Sequence, residues 1–372
     1  MGFKCGIVGL PNVGKSTIFN ALTAAGVAAA NYPFCTIEPN VGRVDVPDLR
    51  LDTICSIVKT LRVIPTSMEF VDIAGLVRGA SNGEGLGNQF LGHIRSTDAI
   101  AHVVRCFDDG DIIHVDGSIS PIRDIETIDA ELIYADVSTV EVALERNRKF
   151  NKSGNKKFAG IVAMLEALEA HLQGLKPART FNINSFVGDL VEVGDAWRDM
   201  HLITAKPVLY VCNVEENLCD GTKDNAYTLA VKERAKVEKA QWVIISGKIE
   251  EELIQLDVES RKEMLSALGV VEPGLNRLIR AGYDTLLLQT YFTAGEKEVR
   301  AWTINRGDKA PQAAGKIHSD FERGFICAEV YGVDDLVKAG NRGKLKELGL
   351  MRTEGREYTV KDGDVMDFRF NV

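Results

Sequence analysis

Short apolar runs bounded by turn residues recur through much of the chain, and each predicts a buried strand. Cys5 to Val8, Met68 to Ile73 and Ile100 to Phe107 are of this kind, and Pro207 to Cys212 and Trp242 to Ile245 repeat the pattern later. Ile18, Phe19, Ala21 and Leu22 instead mark one face of a helix beginning near Lys15. Strands alternating with helices in this way belong to the α/β class. Two later regions change period. Ile133, Val137, Val140 and Leu144 recur at spacings of three and four, as do Ile161, Leu165, Leu168 and Leu172. Each stripe predicts one arm of an antiparallel helical hairpin, packed on the other. From about Tyr283 the period shortens. Leu286 to Phe292 and Val299 to Ile304 read as strands, Gly307 to Lys316 as a connector, and Lys316 to Phe321 as the start of another element. Glu357 to Val360 and Val365 to Phe370 read as extended segments around an Asp362-Gly363-Asp364 turn.

Composition narrows the class. A chain of 372 residues, 45% hydrophobic and 26% charged, is globular and long enough for two or three domains. Its net charge of −9 argues against broad polyanion binding but permits a local basic patch. The seven cysteines are scattered without a CxxC pair, which disfavours zinc or a disulfide framework and fits reduced thiols in the cytoplasm. The amino terminus runs directly into a strand, leaving no room for a signal peptide, and no apolar run approaches the roughly 18 residues of a membrane span.

The chemistry is concentrated in Gly9 to Thr17, Gly-Leu-Pro-Asn-Val-Gly-Lys-Ser-Thr. This is the phosphate-cradling loop of the P-loop nucleotidases, set between a strand and a helix as that motif requires. Asn12, Val13, Gly14, Lys15, Ser16 and Thr17 are the predicted phosphate ligands. Backbone N–H groups at the helix start converge on phosphate oxygens, Lys15 reaches the β- and γ-phosphates, and the Ser16 hydroxyl ligates Mg²⁺. Thr36, in the proline-broken stretch Asn31 to Asn40, is the candidate switch residue closing on Mg²⁺ and the γ-phosphate; the alternative is an ordinary loop threonine. Asp72, ending Asp72-Ile73-Ala74-Gly75, would hold Mg²⁺ through water, and Gly75 would turn its N–H to the γ-phosphate. A stretch with four glycines in nine residues follows, from Gly79 to Gly87, and reads as mobile.

Many regulatory GTPases place a water-orienting glutamine where this chain has Leu76, which can neither donate nor accept a hydrogen bond. The candidates to replace it are His93, His114 and backbone groups, and His114 could equally be a plain loop histidine. Asn12 could lend its carbonyl to K⁺ beside the phosphates or make a hydrogen bond within its loop. Asn213-Val214-Glu215-Glu216 and Ser246-Gly247-Lys248 follow two of the predicted strands, where GTPases carry the guanine-reading NKxD and SAK elements. Asn213, Glu216, Ser246, Gly247 and Lys248 are therefore the predicted base contacts. Val214 replaces the lysine and Glu216 the aspartate. A carboxylate displaced by one methylene loses the two-point contact with guanine, which predicts weakened GTP selection and use of ATP. The competing reading leaves Glu216 as a solvent-facing cap with guanine specificity intact.

With these motifs in place, the chain resembles the YchF subfamily of Obg-related P-loop NTPases over nearly its whole length. The residues that carry the likeness are Gly9 to Thr17, Asn31 to Asn40, Asp72 to Gly75 with Leu76, the N-x-x-E of Asn213 and Glu216, and Ala314 to Phe321. The histidine usual in that family before the final Phe-Arg-Phe is Asp367 here. The resemblance implies a Ras-like P-loop NTPase domain that prefers ATP to GTP and turns over slowly, with ties to ribosomes, translation factors and stress responses. The C-terminal α+β module in turn resembles the TGS domain shared with threonyl-tRNA synthetases and stringent-response enzymes.

The expected organisation is a nucleotide-binding domain over 1–127 and 201–282, interrupted by a helical insertion at 128–200 and followed by the TGS domain at 283–372. Between the hairpin arms lie Arg146, Arg148, Lys149, Lys152, Lys156 and Lys157, six cations in twelve residues. They predict an RNA or ribosome contact, or else merely a solvated tip. The expectation as a whole is a cytoplasmic, monomeric, Mg²⁺-dependent ATPase with K⁺ as a possible second cation and the ribosome or structured RNA as partner. The alternatives are an Obg-like GTPase in ribosome assembly and a nucleotide-gated RNA- or protein-binding regulator.

Overall fold

The computed structural model describes residues 3–29, 40–73, 86–110, 117–152, 157–187 and 191–371. Its strands are β1 (Lys4–Val8), β2 (Val41–Asp45), β3 (Val63–Ile64), β4 (Ser67–Asp72), β5 (Ala99–Arg105) and β6 (Val208–Asn213). They continue with β7 (Gln241–Ile245), β8 (Leu288–Ala294), β9 (Val299–Asn305), β10 (Phe325–Gly332), β11 (Arg352–Glu354) and β12 (Asp364–Phe370). Two compact units divide the chain: Met1–Arg43 with Glu69–Gly282, and Val44–Met68 with Tyr283–Val372.

The first unit is built on the sheet β2-β4-β1-β5-β6-β7. β1 pairs in parallel with β4 and β5, β5 with β6, and β6 with β7. Every residue of β5 and β6 is buried, which is why their sequences read as apolar runs without alternation. The register sets Asn213 beside both Arg105 and Ile245, so three strand ends finish level with one another. In an open α/β sheet the carboxyl ends of the strands are where ligands bind.

The helical insertion forms as an antiparallel pair, Pro121–Lys152 and Lys157–Gln173. Ile133, Val140, Leu144, Ile161, Leu165, Leu168 and Leu172 share one apolar cluster, with Val137 packed against it. The first helix begins upstream of the expected Ile128, because proline suits the opening turn of a helix and Ile125 is fully buried. The root of the hairpin is held by charge. Arg179 Nη2 meets Asp129 at 3.1 Å and its Nε meets Glu238 at 2.9 Å. Arg234 joins both carboxylates, and the Tyr210 hydroxyl donates to Glu238 at 3.1 Å. A buried network of this kind is costly to break at any one member, by about 3–5 kcal/mol.

The second unit carries the mixed sheet β11-β10-β12-β8-β9-β3, with an apolar cluster on each face. Here the structure corrects the sequence reading in four places. Residues 44–68 belong to this unit and not to the nucleotide-binding domain. Leu51 and Ile54 pack with Phe292, Val299, Tyr331 and Val365, β3 pairs with β9, and Arg50 pairs with Asp362 at 2.7 Å. Only contacts made far along the chain decide that placement. The expected connector at Gly307 to Lys316 contains the helix Ala310–Ile317, whose buried face is Ala310, Ala313 and Ala314. Small residues let a helix lie close on a sheet but give a weak periodic signal. Glu357 to Val360 forms no strand, only an isolated bridge between Lys309 and Thr359. β8 starts later than expected because Leu287 turns the chain with φ 53°.

Candidate functional site

β1 delivers the chain to a loop whose conformation depends on glycine at two points. A Cβ on Gly9 would lie 2.5 Å from the Val103 carbonyl oxygen, a backbone atom that cannot step aside. Gly14 has φ +94°, and a Cβ there would lie 2.2 Å from Asn213 Nδ2. The helix Lys15–Ala29 follows at once, so its unpaired N–H groups face the loop. Val13 is buried, whereas Asn12 and Ser16 are exposed and Thr17 is partly so.

Lys15 is 9% exposed, and its Nζ donates to the Leu10 carbonyl at 2.7 Å. Burial pushes the pKa of its amine down, and the negative charge of Asp72 pulls it partly back. Asp72, at the end of β4, is pushed up by its own burial and pulled down by Lys15. The two groups thus share one field. The strand end and the loop are brought together as the motif spacing predicts.

Asn213 joins this loop to the neighbouring region. Its Nδ2 donates to the Val13 carbonyl and its Oδ1 accepts from the Gly247 N–H, each at 2.9 Å. One side chain therefore ties the phosphate loop to the end of β7. Beyond it opens a pocket of about 470 Å³, running from Asn12, Gly14 and Thr17 to Glu216, Ser246, Gly247 and Lys248. The Ser246 hydroxyl, 1% exposed, has no hydrogen-bond partner among the described residues. Glu216 and Lys248 face each other at the far end, 2.5 Å apart.

One wall escaped the sequence reading. Phe107, Asp108 and Asp109 line the pocket, and Arg105 holds them from behind. Arg105 is 1% exposed; it donates to the Phe107 carbonyl at 3.2 Å and the Asp109 carbonyl at 3.0 Å, and lies 4.8 Å over the Phe107 ring. Asn225 holds the Cys106 carbonyl and Tyr227 the Asp108 carboxylate. The available signal was an arginine inside an apolar strand, since a buried guanidinium has to be paired.

Other predicted residues fall elsewhere. Thr36, Gly75, Leu76, His114 and Lys156 lie outside the described residues. His93 is exposed on the helix Leu86–Arg95. Of the basic tip, Arg148 pairs with Glu166 and Lys149 with Glu145, each at 2.8 Å, while Arg146 is exposed. His102, unremarked in the sequence, is buried on β5 beside Tyr210; burial, reinforced by Arg179, pushes its pKa down to about 3. A neutral imidazole in the core is structural.

The sequence and fold match known proteins over nearly the whole chain. The chain is 54% identical to the ribosome-binding ATPase YchF of Escherichia coli O157:H7 and 50% identical to that of Bacillus subtilis (strain 168), covering 100% of both sequences in each case. The chain belongs to the YchF family. The family model for the YchF GTPase C-terminal domain, described as a protein of unknown function, matches 288–371, and that for a 50S ribosome-binding GTPase matches 4–142. The structure of the Schizosaccharomyces pombe YchF GTPase, 38% identical, superposes with a TM-score of 0.86 over 99% of this chain and 98% of that one. A P-loop GTPase-type domain followed by a YchF C-terminal domain is thus the architecture of this chain. The relatives' names divide between ATPase and GTPase, which turns attention to the far end of the pocket.

Proposed function

We propose that this chain is a cytoplasmic ATPase that hydrolyses ATP to ADP and phosphate and binds the ribosome according to its nucleotide state. The observation that carries the reading is the continuous pocket from the phosphate loop to Glu216, spanned by the Asn213 side chain. The triphosphate lies along Asn12 to Thr17, with Lys15 exchanging the Leu10 carbonyl for phosphate oxygens. The base lies among Asn213, Glu216, Ser246, Gly247 and Lys248.

The oxygen donors Ser16 and Asp72, completed by Thr36, suit a hard divalent cation, and the half-buried Asp72 carboxylate beside Lys15 fits that use. Bound there, Mg²⁺ would neutralise charge on the β- and γ-phosphates. Asn12 would lend its carbonyl to a second cation, K⁺, which would supply positive charge beside the phosphates; activity indifferent to replacing K⁺ by Na⁺ would reject that role. Gly75 turns its N–H to the γ-phosphate and His114 orients the attacking water. Unchanged turnover in His114→Ala would remove the histidine from this scheme.

Arg146, Arg148, Lys149, Lys152, Lys156 and Lys157 form the RNA-facing tip, and the C-terminal unit is a TGS-type binding module. Two of those cations already have carboxylate partners, so the electrostatic contribution of the tip is smaller than its sequence implies. The protein acts as a monomer. Side-by-side turnover of ATP and GTP, with Lys15→Ala as the blank, tests the enzymatic reading; ATP is expected to give the higher kcat/KM. A GTPase reading draws on the retained Asn213 and Ser246, and a higher kcat/KM for GTP would establish it.

A further inference from the structure

Glu216 and Lys248 are brought together by the sheet. β6 and β7 run in parallel with Asn213 level with Ile245, and each of the two residues lies three positions beyond its strand partner. Both therefore emerge at the same height over the pocket, where Glu216 Oε1 meets Lys248 Nζ at 2.5 Å. Lys248 sits in the first turn of the helix Gly247–Gln255, where a cation opposes the helix dipole. The helix itself therefore gains nothing from a lysine there.

The two purines differ on the edge that such a carboxylate would read. Guanine presents two donors, N1–H and the 2-amino group, and a free carboxylate accepts both. Adenine presents an acceptor at N1, which a carboxylate repels, and one donor at N6. We propose that Lys248 is a positioning residue that holds Glu216 away from the purine edge, so that the pocket favours adenine over guanine. Selection against guanine then arises from an engaged carboxylate as much as from its extra methylene. The raised pKa of the Lys248 amine, caused chiefly by Glu216, fits a pair that is formed in the free protein.

This inference rests on the reading that the far end of the pocket takes the base. The test is calorimetric titration of full-length protein with MgATP and MgGTP, for wild type, Lys248→Met, Glu216→Ala and the double variant. Both residues are substantially exposed, and circular dichroism checks that each variant folds. Lys248→Met is expected to shift the GTP-to-ATP affinity ratio toward GTP by about fivefold, the scale of an exposed ion pair. In the double variant that shift disappears, because no carboxylate remains to be released. A wild type that prefers ATP, with a ratio unmoved in Lys248→Met or a shift that survives in the double variant, overturns the inference alone. A wild type that prefers GTP overturns the ATPase reading and the inference with it.

Discussion

The two ends of the pocket are built on different principles. At the phosphate end the backbone decides: Gly9 and Gly14 admit no side chain, Lys15 is buried, and Asn213 makes hydrogen bonds in two directions. At the far end side chains decide. Glu216 and Lys248 are exposed enough for water and salt to compete with their pairing. On the proposed reading, a rigid end would recognise what all nucleoside triphosphates share, and a soft end could change which base it prefers at little cost to the fold.

The sharpest way to break the comparison is Gly14→Ala. The added methyl group forces an alanine into φ +94° and displaces the Asn213 amide, leaving buried groups unpaired at about 1–3 kcal/mol each. Titration should show ATP and GTP affinity falling together, on the order of 100-fold, with their ratio unchanged. A change in the ratio would mean that the two ends are not separable.

Burial of the strands beneath the phosphate end has a pH signature. The folded pKa of His102 is about 3, against an ordinary 6.5. Between those values the unfolded chain takes up a proton that the folded chain refuses, so stability is lost as pH falls from about 6.5 toward 3. At pH 5 the loss is about 2 kcal/mol. Unfolding free energies from urea titrations at pH 7.5 and pH 5 should differ by about 2 kcal/mol less in His102→Gln than in wild type. Equal acid sensitivity in the two proteins would show that the imidazole is not sealed from water.

Arg105→Lys probes the wall between the two ends. Lysine cannot hold the Phe107 and Asp109 carbonyls at once in a planar fork, so the wall loosens. Affinity for both nucleotides should fall by about tenfold while inorganic tripolyphosphate binds as before. A matching fall for tripolyphosphate would place Arg105 in the support of the phosphate loop instead.

The phosphate end was legible because its chemistry is local: a strand, nine residues and a helix specify it almost without the rest of the chain. The hairpin was legible for the same reason, since a stripe such as Ile161, Leu165, Leu168 and Leu172 announces its own buried face. What could not be read depended on partners distant in sequence. Leu51 and Ile54 look like ordinary helix residues until Phe292 and Tyr331 are set against them. Arg105 holds the pocket wall only because β5 ends beside Asn213. The spacing singled out Glu216 at the place of the guanine-reading aspartate, but its pairing with Lys248 needed the register of β6 and β7.

The account stands most directly on calorimetry of the nucleotide-free wild-type protein with MgATP, MgGTP and magnesium tripolyphosphate under one set of conditions. It predicts measurable tripolyphosphate binding, tighter ATP binding and an intermediate GTP affinity. GTP binding more tightly than ATP would contradict it.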